Sequence, residues 1–173
     1  MTGRTSASRT CVTTFALIHG GGDVGWYWHL VERELRQSGH DTLAPDLIPA
    51  PGEAPGDWPA NTGFDEVMAR QQQRYSGADL IYQDVPPALA GQARRNARDQ
   101  SDTPGRPPWP LDAWPPVATR FVLCTEDRFF PPDFTRRVAA DRQGVVPDEI
   151  AAGHAVALSR PKELASLLVS YLP

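Results

Sequence analysis

Two stretches of this 173-residue chain carry residue types that can do chemistry together, and a third is missing. The apolar run Phe15–Ile18 ends in His19-Gly20-Gly21-Gly22. Consecutive glycines after a strand let the backbone turn sharply and leave N–H groups unblocked, as a site that holds a developing oxyanion needs. Far downstream, Asp127 follows the apolar segment Phe121–Cys124, and His154 follows 27 residues later in a Gly153-His154 pair. A histidine that accepts a proton needs a carboxylate to fix its tautomer and stabilise the imidazolium, so Asp127 and His154 are the candidate acid and base of a catalytic triad. The attacking group is absent, because no Gly-x-Ser-x-Gly occurs anywhere in the sequence.

Each motif has a competing reading. Gly20, Gly22 and Gly25 also satisfy the dinucleotide pattern G-x-G-x-x-G, with Asp46 standing 21 residues beyond Gly25 where a ribose-binding acid would be expected. Trp26, Tyr27 and Trp28 crowd the point where that helix would pack on its strand, and Asp127 and His154 have no part in that scheme. A plain structural turn is the third possibility. Asp127 could instead cap a helix over 131–141, and His154 could be a loop histidine bonded to backbone. His29 and His40 are expected at the surface. Cys11 and Cys124 match no metal-ligand spacing, and Cys124 reads as a small buried side chain. No cofactor or metal is implied.

The elements that must position these residues are legible at both ends. Thr13–Ile18 reads as a strand buried on both faces. Trp28, Val31 and Leu35 recur at helical spacing with Gly39 as a stop, and residues 41–47 read as a second strand, giving a β-loop-α-β unit with parallel strands. Thr119–Cys124 predicts a third strand, Phe134, Arg137 and Val138 a helix, and Asp148–Ile150 a brief fourth strand. Leu164, Leu167, Leu168 and Tyr171 predict a terminal amphipathic helix that starts at Ser159 or Arg160, with Pro161 in its first turn. Twelve of the 18 prolines lie between Pro49 and Pro116. There the pattern allows only short helices, near Phe64–Gln71 and Val85–Arg98, and Trp58, Trp109 and Trp114 stand among prolines as in a lid or irregular wrap.

Composition bounds the rest. The length fits a single domain of the usual ~100–150 residues, here residues 13–173 behind a flexible 1–12. A net charge of −4 without long single-sign runs argues against a nucleic-acid surface. No stretch approaches the ~20 apolar residues of a membrane span, and the polar opening residues do not read as a secretory signal, so a cytoplasmic protein is expected.

His19-Gly-Gly-Gly-Asp-Val-Gly-Trp-Tyr-Trp28 with Gly39-His40 and Ala44-Pro-Asp-Leu47, then Leu123-Cys-Thr-Glu-Asp127 and Gly153-His154-Ala-Val-Ala-Leu-Ser-Arg-Pro161, resembles α/β-hydrolases of the methylesterase and hydroxynitrile-lyase type. The match spans Thr13–Ile48 and Val117–Leu172, and is looser across the middle. The resemblance implies a truncated α/β-hydrolase-like three-layer fold, with a mostly parallel sheet and a Pro-rich lid over 49–116. It implies Asp127 as acid, His154 as base, the Gly21 N–H as one oxyanion donor, and a small apolar or aromatic ester as substrate. It also implies a loss: roughly 60 residues, two β-α units carrying the serine and its strand, are missing after Leu47.

None of the eight serines replaces the lost one. Ser76 has no strand before it, and Ser159 lies in the loop after His154. Without the central strand, either Phe15–Ile18 pairs directly with Phe121–Cys124 or the sheet exposes edges, and stability falls with the smaller core. The expected protein is an esterase-type hydrolase by descent with impaired catalysis. The alternatives are a non-enzymatic binding module and a nucleotide-binding oxidoreductase fragment.

Overall fold

The computed structural model describes residues 12–46, 64–98 and 115–173. Strand β1 (Thr14–Ala16) enters the glycine loop, and a 3-10 turn (Gly25–Trp28) leads into helix α1 (His29–Gln37). Val31 and Leu35, one helical turn apart, are both fully buried on its inner face. Gly39 takes φ 86°, a left-handed conformation glycine adopts without Cβ strain, and so returns the chain into β2 (Asp41–Leu43). β2 runs parallel to β1 with Thr42 opposite Phe15, so the β-loop-α-β unit is present with shorter strands than expected.

The C-terminal unit repeats this plan. Strand β3 (Val122–Cys124), helix α5 (Pro132–Gln143) and strand β4 (Asp148–Ile150) form a second parallel pair, with Leu123 opposite Glu149. Helices α6 (Val156–Ser159) and α7 (Pro161–Ser170) follow, with Arg160 at the cap and Pro161 at the first position of α7.

Of the two alternatives expected for the sheet, the described residues take the one with open edges: β1 pairs with β2 and β3 with β4, and Phe15–Ile18 does not pair directly with Phe121–Cys124. The expectation of a first strand covered on both faces is corrected. Thr14, Ala16 and Ile18 are exposed, Phe15 is half-buried and Leu17 buried, the alternation of a strand packed on one side. The face that carries Leu17 packs on Val31 and Leu35 of α1, and among the described residues nothing covers the face of Thr14, Ala16 and Ile18.

The core nevertheless joins the two ends of the chain. Leu17, Val31 and Leu35 pack with Ile150, Ala157, Leu164 and Ala165, and α1 lies against α7. His40, expected at the surface, is 7% exposed: its ring stands edge-on to Phe15 at 5.5 Å and Nδ1 accepts from the Thr13 N–H. His29, also expected outside, is half-buried and stacked on Trp26 at 4.3 Å, with Nδ1–H donating to the Trp26 carbonyl. Neither position carries a periodicity signal, because ring contacts with a neighbouring element decide both.

The middle of the chain is described over residues 64–98. Its described part is helical: α2 (Phe64–Arg74), α3 (Gly77–Ile81) and α4 (Pro87–Asn96). α2 and α4 fall on the two short helices expected, and Ser76 adds α3 by accepting the Asp79 N–H as its N-cap. Trp58, Trp109 and Trp114 lie outside the described residues, as do Cys11, Leu47 and most of the proline-rich segment. Val85, Ala90 and Ala93 pack with Ala155 and Leu158 in a second apolar cluster, and Tyr27 contacts both clusters. Among the described residues no helix is long and apolar enough to cross a membrane.

Candidate functional site

Asp127 leaves the carboxyl end of β3, where parallel strands of open sheets deliver functional groups. The Asp127 N–H turns back onto the Cys124 carbonyl at 3.2 Å, and the side chain Oδ1 accepts the Phe129 and Phe130 N–H groups at 2.7 and 2.9 Å. This locks the carboxylate in a turn of its own rather than at the cap of α5, whose cap residue is Pro131. Oδ2 remains for His154, and the Nδ1–Oδ2 distance is 3.0 Å. A carboxylate oxygen only accepts, so Nδ1 carries the hydrogen and Nε2 is the nitrogen presented outward. Phe129 and Phe130 flank the imidazole, with ring centroids 4.6 and 5.4 Å away.

The glycine turn closes on the same place. The Asp23 N–H bonds the Gly20 carbonyl at 3.3 Å, and His19 is 5% exposed with Nδ1–H donating to Gly20 O. Asp23 feels the charges of both His19 and His154. Tyr27, just beyond the turn, meets the Ala157 N–H three residues past His154, and burial pushes its hydroxyl well above the ordinary tyrosine range. Gly21 is exposed on the turn. The structure therefore gathers the turn, Asp127 and His154 into one region from opposite ends of the sequence.

Asp23, which no motif singles out, changes the electrostatics of that region. Burial raises its carboxyl pKa above the usual range, and the His19 and His154 charges oppose the rise without cancelling it. A carboxylate here is a poor neighbour for a second negative charge on an oxyanion. The signal was available, since an acidic residue directly follows the three glycines.

The loops carrying Asp127 and His154 are also held by the middle of the chain. Asp84 Oδ2 accepts the Gly153 N–H at 2.8 Å, and a Cβ at Gly153 would come within 2.5 Å of Asp84 Oδ1. Gln83 Nε2 donates to the Glu126 carbonyl, Gln71 Nε2 to Arg128 O at 2.6 Å, and Arg128 Nη1 to Asp79 O at 3.3 Å. Sequence separations of 43 to 69 residues hide these ties from any local pattern.

The other sequence candidates find structural roles. Asp46 Oδ1 accepts the Gly25 N–H at 2.7 Å, and a Cβ at Gly25 would collide with the Ala44 carbonyl. Both features of the dinucleotide pattern are thus explained by loop packing. Ser76 caps α3, Ser38 Oγ donates to Glu34 O and Ser170 Oγ to Leu167 O, while Ser159 Oγ is buried at the end of α6 with no hydrogen-bond partner among the described residues. Cys124 packs against the core, and burial, reinforced by Asp127 and Asp84, pushes its thiol up to about 12. Among the described residues no three of His, Cys, Asp and Glu gather as a metal centre would require.

Comparison with known proteins agrees on the architecture. The family model described as alpha/beta hydrolase family matches residues 49–167, including the proline-rich middle. No curated protein matches the chain. Among solved structures, polyneuridine aldehyde esterase aligns over 92% of this chain and 99% of its own, with 16% identity and a TM-score of 0.68. A pyrethroid hydrolase from Sphingobium faniae JZ-2 aligns over 93% and 97%, with 17% identity and a TM-score of 0.64. An extracellular alpha/beta-hydrolase from a Paenibacillus species, described as sharing structural and functional homology with tobacco salicylic acid binding protein 2, aligns over 92% and 98%, with 16% identity and a TM-score of 0.64. At these identities the likeness is one of fold.

Proposed function

Since the chain belongs to the alpha/beta hydrolase family, we propose that it is a nucleophile-less member that binds small apolar or aromatic ester-like molecules and does not hydrolyse them through an acyl-enzyme. In this reading residues 13–173 form one domain and 49–116 its cover. Asp127 and His154 are the retained acid and base, and the Gly21 N–H is a retained oxyanion donor.

The observation that carries the reading is the 3.0 Å bond between His154 Nδ1 and Asp127 Oδ2 in a chain without a nucleophile elbow. The pair leaves Nε2 as the nitrogen that would take a proton, and the sequence holds no Gly-x-Ser-x-Gly serine to give one. Cys124 is no substitute, because a thiol with a pKa of about 12 is almost wholly protonated at neutral pH. Asp23, whose carboxyl feels both His19 and His154, adds an acidic group to the same region and so disfavours a further negative charge there. The aromatic rings of Phe129 and Phe130 beside the imidazole suit an apolar ligand with a polar carbonyl.

The test uses the purified chain with a fluorophosphonate probe and a panel of small acyl esters. The expected result is no covalent adduct, and an ester-hydrolysis rate that is the same in the parent and in His154→Ala. Saturable binding of an aromatic ester, seen by calorimetry and weakened in Phe129→Ala, completes the expectation. A stoichiometric fluorophosphonate adduct, or hydrolysis that disappears in His154→Ala, overturns it.

A further inference from the structure

The chain just beyond α4 closes on the glycine turn. The Arg98 N–H donates to the Gly22 carbonyl at 3.0 Å. The Asp23 N–H donates to Gly20 O at 3.3 Å, and Gly22 takes φ 82°, as the third position of a type II turn requires. The Gly22–Asp23 peptide is therefore held at both atoms, its oxygen by Arg98 and its N–H by the turn itself. The Arg98 side chain adds little, since its guanidinium is 68% exposed and 3.8 Å from Asp46 Oδ2. At its other end α4 is preceded by Gln83 and Asp84, which hold the Glu126 carbonyl and the Gly153 N–H. Between the two ends, Ala90 and Ala93 of α4 pack with Ala155 and Leu158, just after His154. Trp26 and Tyr27, just after the glycine turn, pack on the same cluster.

We propose that residues 83–98 act as a strap that sets the glycine turn relative to His154, with Arg98 as a positioning residue acting through its backbone N–H. The ten-residue helix α4 is a stiff spacer of about 15 Å. Behind the site the core joins β1 and α1 to α7, but among the described residues no strand pairs with both β1 and β3. A shared central strand would fix the two halves through ladder hydrogen bonds; α4 does so with one anchor on each side. The strap thereby sets the spacing between the Gly21 N–H and His154 Nε2 across which a ligand carbonyl would lie. That consequence rests on the roles proposed above for Gly21 and His154, whereas the strap itself does not.

Arg98→Pro tests it, because proline removes the donor while Ala97, at φ −57° and ψ 143°, already has the extended conformation favoured before proline. Arg98→Gln keeps the N–H and is the matched control. The readout is amide hydrogen exchange in the full chain. In Arg98→Pro the Asp23 amide is expected to exchange about tenfold faster or more, and the Gly153 amide about threefold faster or more. Gly144, bonded to Ala140 O at the end of α5, is expected to stay within about twofold. Arg98→Gln is expected to match the parent at all three amides. A merely local contact would move Asp23 and leave Gly153 as it was. In the unmodified chain, Asp23 and Gly153 are expected to share one opening free energy and one dependence on denaturant, different from that of Gly144. Should Arg98→Pro unfold the chain and accelerate Gly144 equally, this comparison in the parent decides. Unchanged exchange at Asp23 or Gly153 in a folded Arg98→Pro, equal effects of the two variants, or unrelated openings of Asp23 and Gly153 in the parent would each overturn the strap. Absence of ester binding bears on the proposed function instead and leaves these exchange results standing.

Discussion

Replacing Asp84 by alanine should release the loop that carries His154. Asp84 Oδ2 accepts the Gly153 N–H at 2.8 Å, its side chain is 11% exposed, and Arg160 Nη1 lies 3.9 Å from the same oxygen. In Asp84→Ala the buried Gly153 N–H loses its acceptor, a loss worth about 1–3 kcal/mol. Part of this is returned, because Asp84 Oδ1 is itself buried without a hydrogen-bond partner among the described residues and leaves with the side chain. A net destabilisation of about 2 kcal/mol follows, or a fall in Tm of about 4–8 °C for a chain of this length. Asp84→Asn keeps an acceptor oxygen for Gly153 and should lose less than half as much. Thermal unfolding of the two variants beside Asp141→Ala, an exposed acid on α5, measures the difference. Native-state hydrogen exchange at the Gly153 amide reads the loop directly and should accelerate by about thirtyfold in Asp84→Ala. If Asp84→Ala matches Asp141→Ala, or Asp84→Asn is as unstable as Asp84→Ala, the latch is not what holds His154.

Three further outcomes are expected. Burial raises the Asp23 carboxyl pKa, so the folded state holds that proton at pH values where the unfolded chain has released it. Stability is therefore lost as pH rises from about 4, the ordinary carboxyl range, through the raised value. Asp23→Asn should flatten this part of the Tm–pH curve and exceed the parent Tm at neutral pH. Cys124, with its thiol pushed up to about 12, should react with a disulfide reagent at least about a hundredfold more slowly than a free cysteine, in a Cys11→Ser background, until denaturant exposes it. Leu123→Ala, at a side chain 1% exposed in β3, should cost about 3 kcal/mol or more in chemical denaturation, whereas Val146→Ala, 93% exposed, stays within about 0.5 kcal/mol.

Local pattern was sufficient wherever the determinants sit within a few residues. The spacing of Val31 and Leu35, the stop at Gly39 and the Arg160-Pro161 start were all visible because a helix repeats every 3.6 residues and its ends need particular backbone chemistry. The glycine turn, Asp127 and His154 stood out for a similar reason, since residue types that do chemistry are few and their order along the chain is informative. The first three strands are shorter than the sequence pattern suggests, because the pattern continues past the last ladder hydrogen bond, while Asp148–Ile150 falls where expected.

Tertiary structure alone decided the rest. That β1 pairs with β2 and β3 with β4 among the described residues, that His40 turns inward against Phe15, and that Gln71, Gln83 and Asp84 secure the loops beside Asp127 and His154 are matters of contact between distant segments. A buried N–H such as that of Gly153 must find an acceptor, but which side chain 69 residues away provides it depends on how helices and strands pack, and no periodicity records that. The residue types for a site are written in order along this chain; their meeting, and the carboxyl group of Asp23 that shares the space with them, come from the fold.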